Sequence, residues 1–221
     1  MRGAATAQAR PAQPLRGLDS SFKAPLLERI LSEENPDERR VVIDLGAPSQ
    51  VLLNRLQTLG PCRVEIADLV GTGGLREFSS AEFLEQRGMA GIREYLPAAG
   101  DPLDLILCWD LPNYLSLPIF GVICRLLSER ANPGCRLHML IAYSQREMPA
   151  APARYRLAES GLLTQTRVDA TLTAAPRYSP ESLGNAVSGF DYERGMLLAN
   201  GMQEFVYAWP RETDQDQRYR F

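Results

Sequence analysis

Three aspartates, one glycine and one tyrosine are the residues whose types and spacing point to chemistry. Asp44 closes the apolar run Val41-Val42-Ile43 and stands two residues before Gly46, after which Leu52, Leu56 and Leu59 recur with helical spacing. A strand that turns at a glycine into a helix leaves backbone N–H groups and a positive helix end at one mouth, where an anionic or nucleotide-like ligand can sit. Asp68 follows Gly46 by 22 residues and ends the alternating stretch from Arg63. In strand–helix–strand units a carboxylate at that distance accepts hydrogen bonds from the two hydroxyls of a ribose. The same side chain can instead cap its own turn, Gly71-Thr72-Gly73-Gly74, and both readings stay open. Asp110 ends the strongest apolar run, Asp101 to Asp110, and Tyr114 lies just beyond it. Ligands of open α/β sheets bind past the carboxyl ends of strands, so Asp110 and Tyr114 are candidates for positioning or deprotonating a substrate.

Other chemistries lack their parts. His138 is the only histidine, and Cys62, Cys108, Cys124 and Cys135 are widely spaced without a Cys-x-x-Cys pair. Neither a zinc site nor a Ser-His-Asp triad can be assembled from that set, and no metal is expected. The cysteines read as buried thiols in a reducing, cytoplasmic setting, and His138 reads as a strand histidine with a core partner. A net charge of −3 gives no general attraction to nucleic acid or anionic membranes. The chain has no apolar run long enough to span a membrane and no apolar N-terminal signal segment.

The 221 residues, 45% of them hydrophobic, suit one domain. Residues 1–17 are expected to be a disordered tail, 18–209 the domain and 210–221 a mobile tail. Asp19-Ser20-Ser21 predicts the cap of a helix carrying Phe22, Leu26 and Ile30, and Ser79-Ser80-Ala81-Glu82 predicts a short helix to about Arg87. A strand near Ile92–Leu96 follows, then the central strand 101–110, a helix from Pro118 to Ser128, and a strand entered through Asn132-Pro133-Gly134. Tyr155–Ser160 is expected as a helix, Gly161 to Val168 as a strand, and Ser179-Pro180 as a helix start. A last strand, with Phe205, Tyr207 and Trp209 alternating, leaves the turn Asn200-Gly201. Strand and helix alternate from 40 to 165, which specifies a doubly wound α/β sheet. Residues 168–203 are expected to form a long insertion before the last strand, able to cover the mouth or meet a protein partner.

Val41 to Gln50 resembles the first motif of the class I S-adenosylmethionine-dependent methyltransferases, acidic-x-Gly-x-Gly-x-Gly. Asp44 and Gly46 match, and Pro48 and Gln50 stand at the other two glycine positions. Residues 101–110 resemble the family's fourth strand, and Leu126-Leu127 followed by Pro133-Gly134 resembles its entry to the fifth. The resemblance spans roughly residues 20–209 and implies a mostly parallel seven-stranded Rossmann-like sheet with a final antiparallel strand. It further implies S-adenosylmethionine as cofactor, with Asp44 and Gly46 at its methionine portion and Asp68 at its ribose. Asp110 or Tyr114 would then face a methyl acceptor, a small molecule or a protein. Pro48 removes a backbone donor from the turn, and Gln50 adds bulk where glycine lets a ligand approach. Those departures support a second reading, a catalytically silent domain of the same fold that binds a protein partner. A nicotinamide oxidoreductase fits less well, since the turn also lacks Gly-x-Gly-x-x-Gly.

Overall fold

The computed structural model describes residues 19–211 apart from 34–38, 81, 99, 159–160, 169 and 188. The expected N-terminal tail and all but the first residues of the expected C-terminal tail lie outside the described residues.

The core is a sheet of β2 (Arg40–Asp44), β3 (Cys62–Ile66), β4 (Leu103–Trp109), β5 (Ala131–Ala142), β10 (Asp191–Leu197) and β11 (Met202–Ala208). Its order is β10-β11-β5-β4-β2-β3, with β3, β2, β4 and β5 parallel, β11 antiparallel to β5 and β10 antiparallel to β11. Strands covered on both faces carry continuous apolar runs, and β4 is buried at every residue except Asp104. One face packs against α1 (Pro25–Ser32) and α2 (Gln50–Thr58), the other against α3 (Gly74–Phe78), α4 (Phe83–Arg93), α5 (Leu117–Ser128) and α6 (Pro180–Ala186). The chain is therefore a doubly wound, mostly parallel α/β domain that ends on an antiparallel hairpin.

Local chemistry sets several boundaries. Ser49 caps α2 by accepting from the Leu52 N–H, and Ser179 caps α6 by accepting from the Ser182 N–H. Pro118 stands in the first turn of α5, where its missing N–H costs nothing. Gly201, at φ 82°, makes the tight turn from β10 to β11.

Four expectations need correction. The sheet has six strands among the described residues, because Ile92 belongs to α4 and Tyr95 to the turn after it. Phe83 and Ile92 reach the same core across a kink at Gly88, so this short apolar segment follows the helical period. Asp19–Lys23 is a strand, β1, rather than a helix start; it buries only Phe22 and pairs with β8 (Leu162–Thr166). Tyr155 and Leu157 alternate with exposed arginines in β7 (Arg154–Leu157), so the expected helix there is also a strand. β1, β8 and β7 form a separate small sheet. Finally, the stretch 168–203 contains β10, which pairs with the last strand, so what separates β5 from the closing hairpin is 143–190. That stretch also carries β6 (Glu147–Pro149) and β9 (Leu172–Ala174), which pair with each other.

Candidate functional site at the carboxyl ends of the parallel strands

β4, β2 and β3 are neighbours, and each is followed or ended at its carboxyl terminus by an aspartate: Asp110, Asp44 and Asp68. Asp44 is 2% exposed, and its Oδ1 accepts from the Gly46 N–H at 2.9 Å and the Trp109 indole N–H at 2.7 Å. Burial outweighs both donors and lifts this carboxyl to about 6, with the charge of Asp68 adding to the rise. Gly46 is required by the same cluster, since a Cβ there would lie 2.6 Å from Trp109 Cδ1.

Trp109 was missed by sequence reasoning, which took it as the last apolar residue of a strand. It adopts φ 51°, uncommon for a bulky residue, and that twist swings its ring across the mouth of β2. The ring stacks on Tyr155 of β7, with centroids 5.1 Å apart and planes 7° from parallel. An aromatic at the end of the strongest strand was the available signal; its direction was not.

Asp68 has φ 42°, and its Oδ1 accepts from the Gly71 N–H at 2.8 Å. The turn-capping use of this carboxylate therefore holds, with Oδ2 outside that bond. Asp68 is half-buried, and its charge is felt at Asp44 across the same mouth.

Asp110 is also 2% exposed and starts the 3₁₀ turn Leu111–Tyr114. Its Oδ2 accepts from the Ala153 N–H at 3.1 Å. The Tyr155 hydroxyl lies close enough to favour the charged carboxylate, yet neither it nor Asp110 Oδ1 completes a hydrogen bond of good geometry. Burial dominates and raises this carboxyl to about 7. The Tyr114 hydroxyl faces the carbonyls of Pro149 and Ala151, each at 3.0 Å, and ties the turn to the segment that covers it. Asn113, which sequence reasoning did not single out, fixes the mouth: its Nδ2 donates to the carbonyls of Asp110 and Leu140, and its Oδ1 accepts from the Ala142 N–H. Asp110, Asn113 and Tyr114 line one cavity of about 180 Å³, together with Gln165, Arg167 and Asn200.

No family model matches the chain, and no curated protein matches it. Among solved structures it is similar to an S-adenosylmethionine-dependent methyltransferase from Clostridium acetobutylicum, at 12% identity and a TM-score of 0.48 over 84% of this chain and 89% of that one. It is similar also to CalS10, an amino pentose methyltransferase from Micromonospora echinaspora, at 14% identity and a TM-score of 0.47 over 83% and 88% of the two chains. The glycopeptide N-methyltransferase MtfA, complexed with S-adenosylmethionine, gives 14% identity and a TM-score of 0.47 over 90% of this chain and 100% of that one. The fold is a doubly wound, mostly parallel α/β sheet closed by an antiparallel hairpin. In this sheet, Asp44, Gly46 and Asp68 share one mouth, and Asp110 and Tyr114 line the adjoining cavity.

The other titratable residues are engaged in the core. His138 is fully buried, with Nε2 3.0 Å from Glu204 Oε1. Cys108, Cys124 and Cys135 are buried thiols pushed well up by desolvation, and Cys62 is half-buried. Among the described residues no helix is long and apolar enough to cross a membrane.

Proposed function

We propose that this protein binds S-adenosylmethionine at the mouth of β2 and β3 and transfers its methyl group to an acceptor beside Asp110. One observation carries the reading: two carboxylates, Asp44 and Asp68, stand at the carboxyl ends of adjacent parallel strands on either side of Gly46. The residues present fit the cofactor. Gln50, at a lost glycine position, is exposed and donates to Asn54 Oδ1 at 2.8 Å, so its side chain runs along α2 rather than into the mouth. We assign Asp68 to a ribose hydroxyl and Asp44 to the cationic end of the methionine portion. When bound, the cofactor supplies a methyl group already activated as a leaving-group sulfonium, so the chain need only orient, desolvate and manage a proton. Asp110, raised to about 7, is suited to take that proton from an acceptor, and Tyr114 holds the covering segment in place.

The test is thermal unfolding with S-adenosylmethionine and S-adenosylhomocysteine. At about 100 times the dissociation constant, binding adds about 2.7 kcal/mol, a midpoint rise of roughly 5–10 °C for a domain of this size. Asp68→Asn should reduce the rise without unfolding the protein. Absence of any rise up to millimolar ligand overturns the reading. A second reading, a silent domain that binds a protein partner, is favoured by the indole packed over Gly46 and by the donor that Pro48 lacks.

A further inference from the structure

Past the end of β5 the chain leaves the main sheet and returns to it, and two arms of that excursion form a cleft of about 510 Å³. One arm is 142–146; the other is 176–180, which leads into α6. Both arms are held by groups other than their arginine side chains. The Ala175 N–H donates to the Arg146 carbonyl at 3.0 Å, and the pairing of β6 with β9 continues that tie. Gln145 Nε2 donates to the Asn200 carbonyl at 2.6 Å, and the Tyr178 hydroxyl donates to the Leu115 carbonyl at 2.7 Å. The walls are thus fixed by the fold, and the volume lies within the range of small-molecule sites.

The charge of the cleft is one-sided. Arg146 and Arg177, one from each arm, line it and are exposed, and neither side chain forms an ion pair or hydrogen bond among the described residues. Seven arginines elsewhere each meet a carboxylate. Among the described residues no acid lines this cleft, although Glu147 and Glu181 stand close by in the chain. In a protein of net charge −3 that is a local reversal of sign. A guanidinium is planar and permanently charged, and two on opposite arms can hold one carboxylate or phosphate from both sides. One exposed ion pair contributes little, so a ligand here needs both arginines and an apolar contact. Tyr143, 54% exposed on the same arm as Arg146, offers that contact as a bare ring. We propose that this cleft binds a small aromatic oxyanion, its carboxylate or phosphate between Arg146 and Arg177 and its ring against Tyr143. Ala142 and Gln145 line both this cleft and the cavity of Asp110 and Tyr114, so a molecule anchored here can extend toward Asp110. The ligand's role as methyl acceptor rests on the methyl-transfer reading; its binding does not.

The experiment titrates phenyl phosphate, benzoate and inorganic phosphate into the full chain, with benzylamine and benzyl alcohol as cationic and neutral controls. Ionic strength is held constant, because exposed charges are screened by salt. Calorimetry and thermal unfolding are the readouts. One aryl anion should raise the midpoint by about 3–5 °C at ten times its dissociation constant, and the controls should not. Stronger binding of phenyl phosphate assigns the group as phosphate, and stronger binding of benzoate assigns it as carboxylate. Arg146→Met and Arg177→Met, both at exposed positions, should each weaken that ligand about tenfold or more while leaving the protein folded. Tyr143→Ala should weaken the aryl anion and leave inorganic phosphate unchanged. Arg125→Met, at an exposed position on α5 outside the cleft, should change neither. No response to either aryl anion up to millimolar concentration overturns the proposal, as does an equal response to benzylamine or benzyl alcohol. Unchanged affinity in either cleft arginine variant, or an equal loss in Arg125→Met, overturns it as well. S-adenosylmethionine is titrated separately. Anion binding without cofactor binding removes methyl transfer and keeps the cleft; cofactor binding without anion binding removes the cleft and keeps methyl transfer.

Discussion

Asp110 carries a proton that an unfolded chain would already have lost. Its carboxyl is raised from the usual value near 4 to about 7 in the folded protein. The folded state therefore holds more protons than the unfolded state between those values, and stability falls as pH rises through that window. A shift of this size corresponds to roughly 4 kcal/mol. Asp110→Asn keeps an acceptor for the Ala153 N–H and removes the titration, so urea unfolding should show wild type losing stability from pH 5 to 8 while the variant loses much less. Parallel curves for the two proteins would refute the assignment. The neighbouring cluster of Asp44, Gly46 and Trp109 should behave as one unit. Gly46→Ala drives a Cβ against the indole, and Trp109→Phe removes the donor to Asp44; each should cost about 1–3 kcal/mol. Residues in contact are not additive, so the double variant should cost less than the sum by at least about 0.5 kcal/mol. A strictly additive cycle would show that glycine is needed there for another reason.

Helix α1 illustrates how an element can depend on a residue far along the chain. Its cap position is Ala24, which has no side-chain acceptor. The missing acceptor comes from β11: Glu204, fully buried, takes the Leu26 N–H at 3.1 Å and the Leu27 N–H at 2.8 Å, and also meets His138. The carboxylate faces the positive end of the helix, which compensates its desolvation. Glu204→Ala should cost about 3–5 kcal/mol, the range for breaking a buried polar cluster by removing one partner. Denaturant titration checks this, and a loss below about 1 kcal/mol would show that the cluster is not holding α1 to the sheet.

At the scale of the whole molecule, the stretch 143–190 is folded back over the carboxyl ends of the main strands. Three contacts fasten it: the Tyr155–Trp109 stack, the Ala153 N–H to Asp110, and the Tyr114 hydroxyl to the carbonyls of Pro149 and Ala151. All three involve residues of the candidate site, so cover and site are coupled. Tyr155→Leu removes the stack while keeping an apolar side chain. Amides of β7 and β8 should then exchange with solvent well before those of β4 and β5, whose strands lie inside the main sheet. Equal protection in both sheets would mean that the cover does not open independently. The same coupling would let ligand in the cavity stabilise the cover.

The four parallel strands of the main sheet, its last strand and the place of its mouth were legible in the sequence, while β10 was not. A long apolar run such as 103–109 suits a strand buried on both faces, and turn residues such as Ser179, Pro118 and Gly201 act within a few residues of themselves. The sequence also placed Asp44, Gly46, Asp68, Asp110 and Tyr114 at strand ends, because strand ends were legible. Short segments were not: 19–23, 92–96 and 154–157 carry too few apolar residues for their period to decide, and pairing or packing with distant segments settled each one. The direction of Trp109, the capping of α1 by Glu204 and the cavity shared by Asp110, Arg167 and Asn200 were decided only by tertiary structure. Each joins residues tens to hundreds of positions apart, and local propensity holds no information about a partner that only folding brings near.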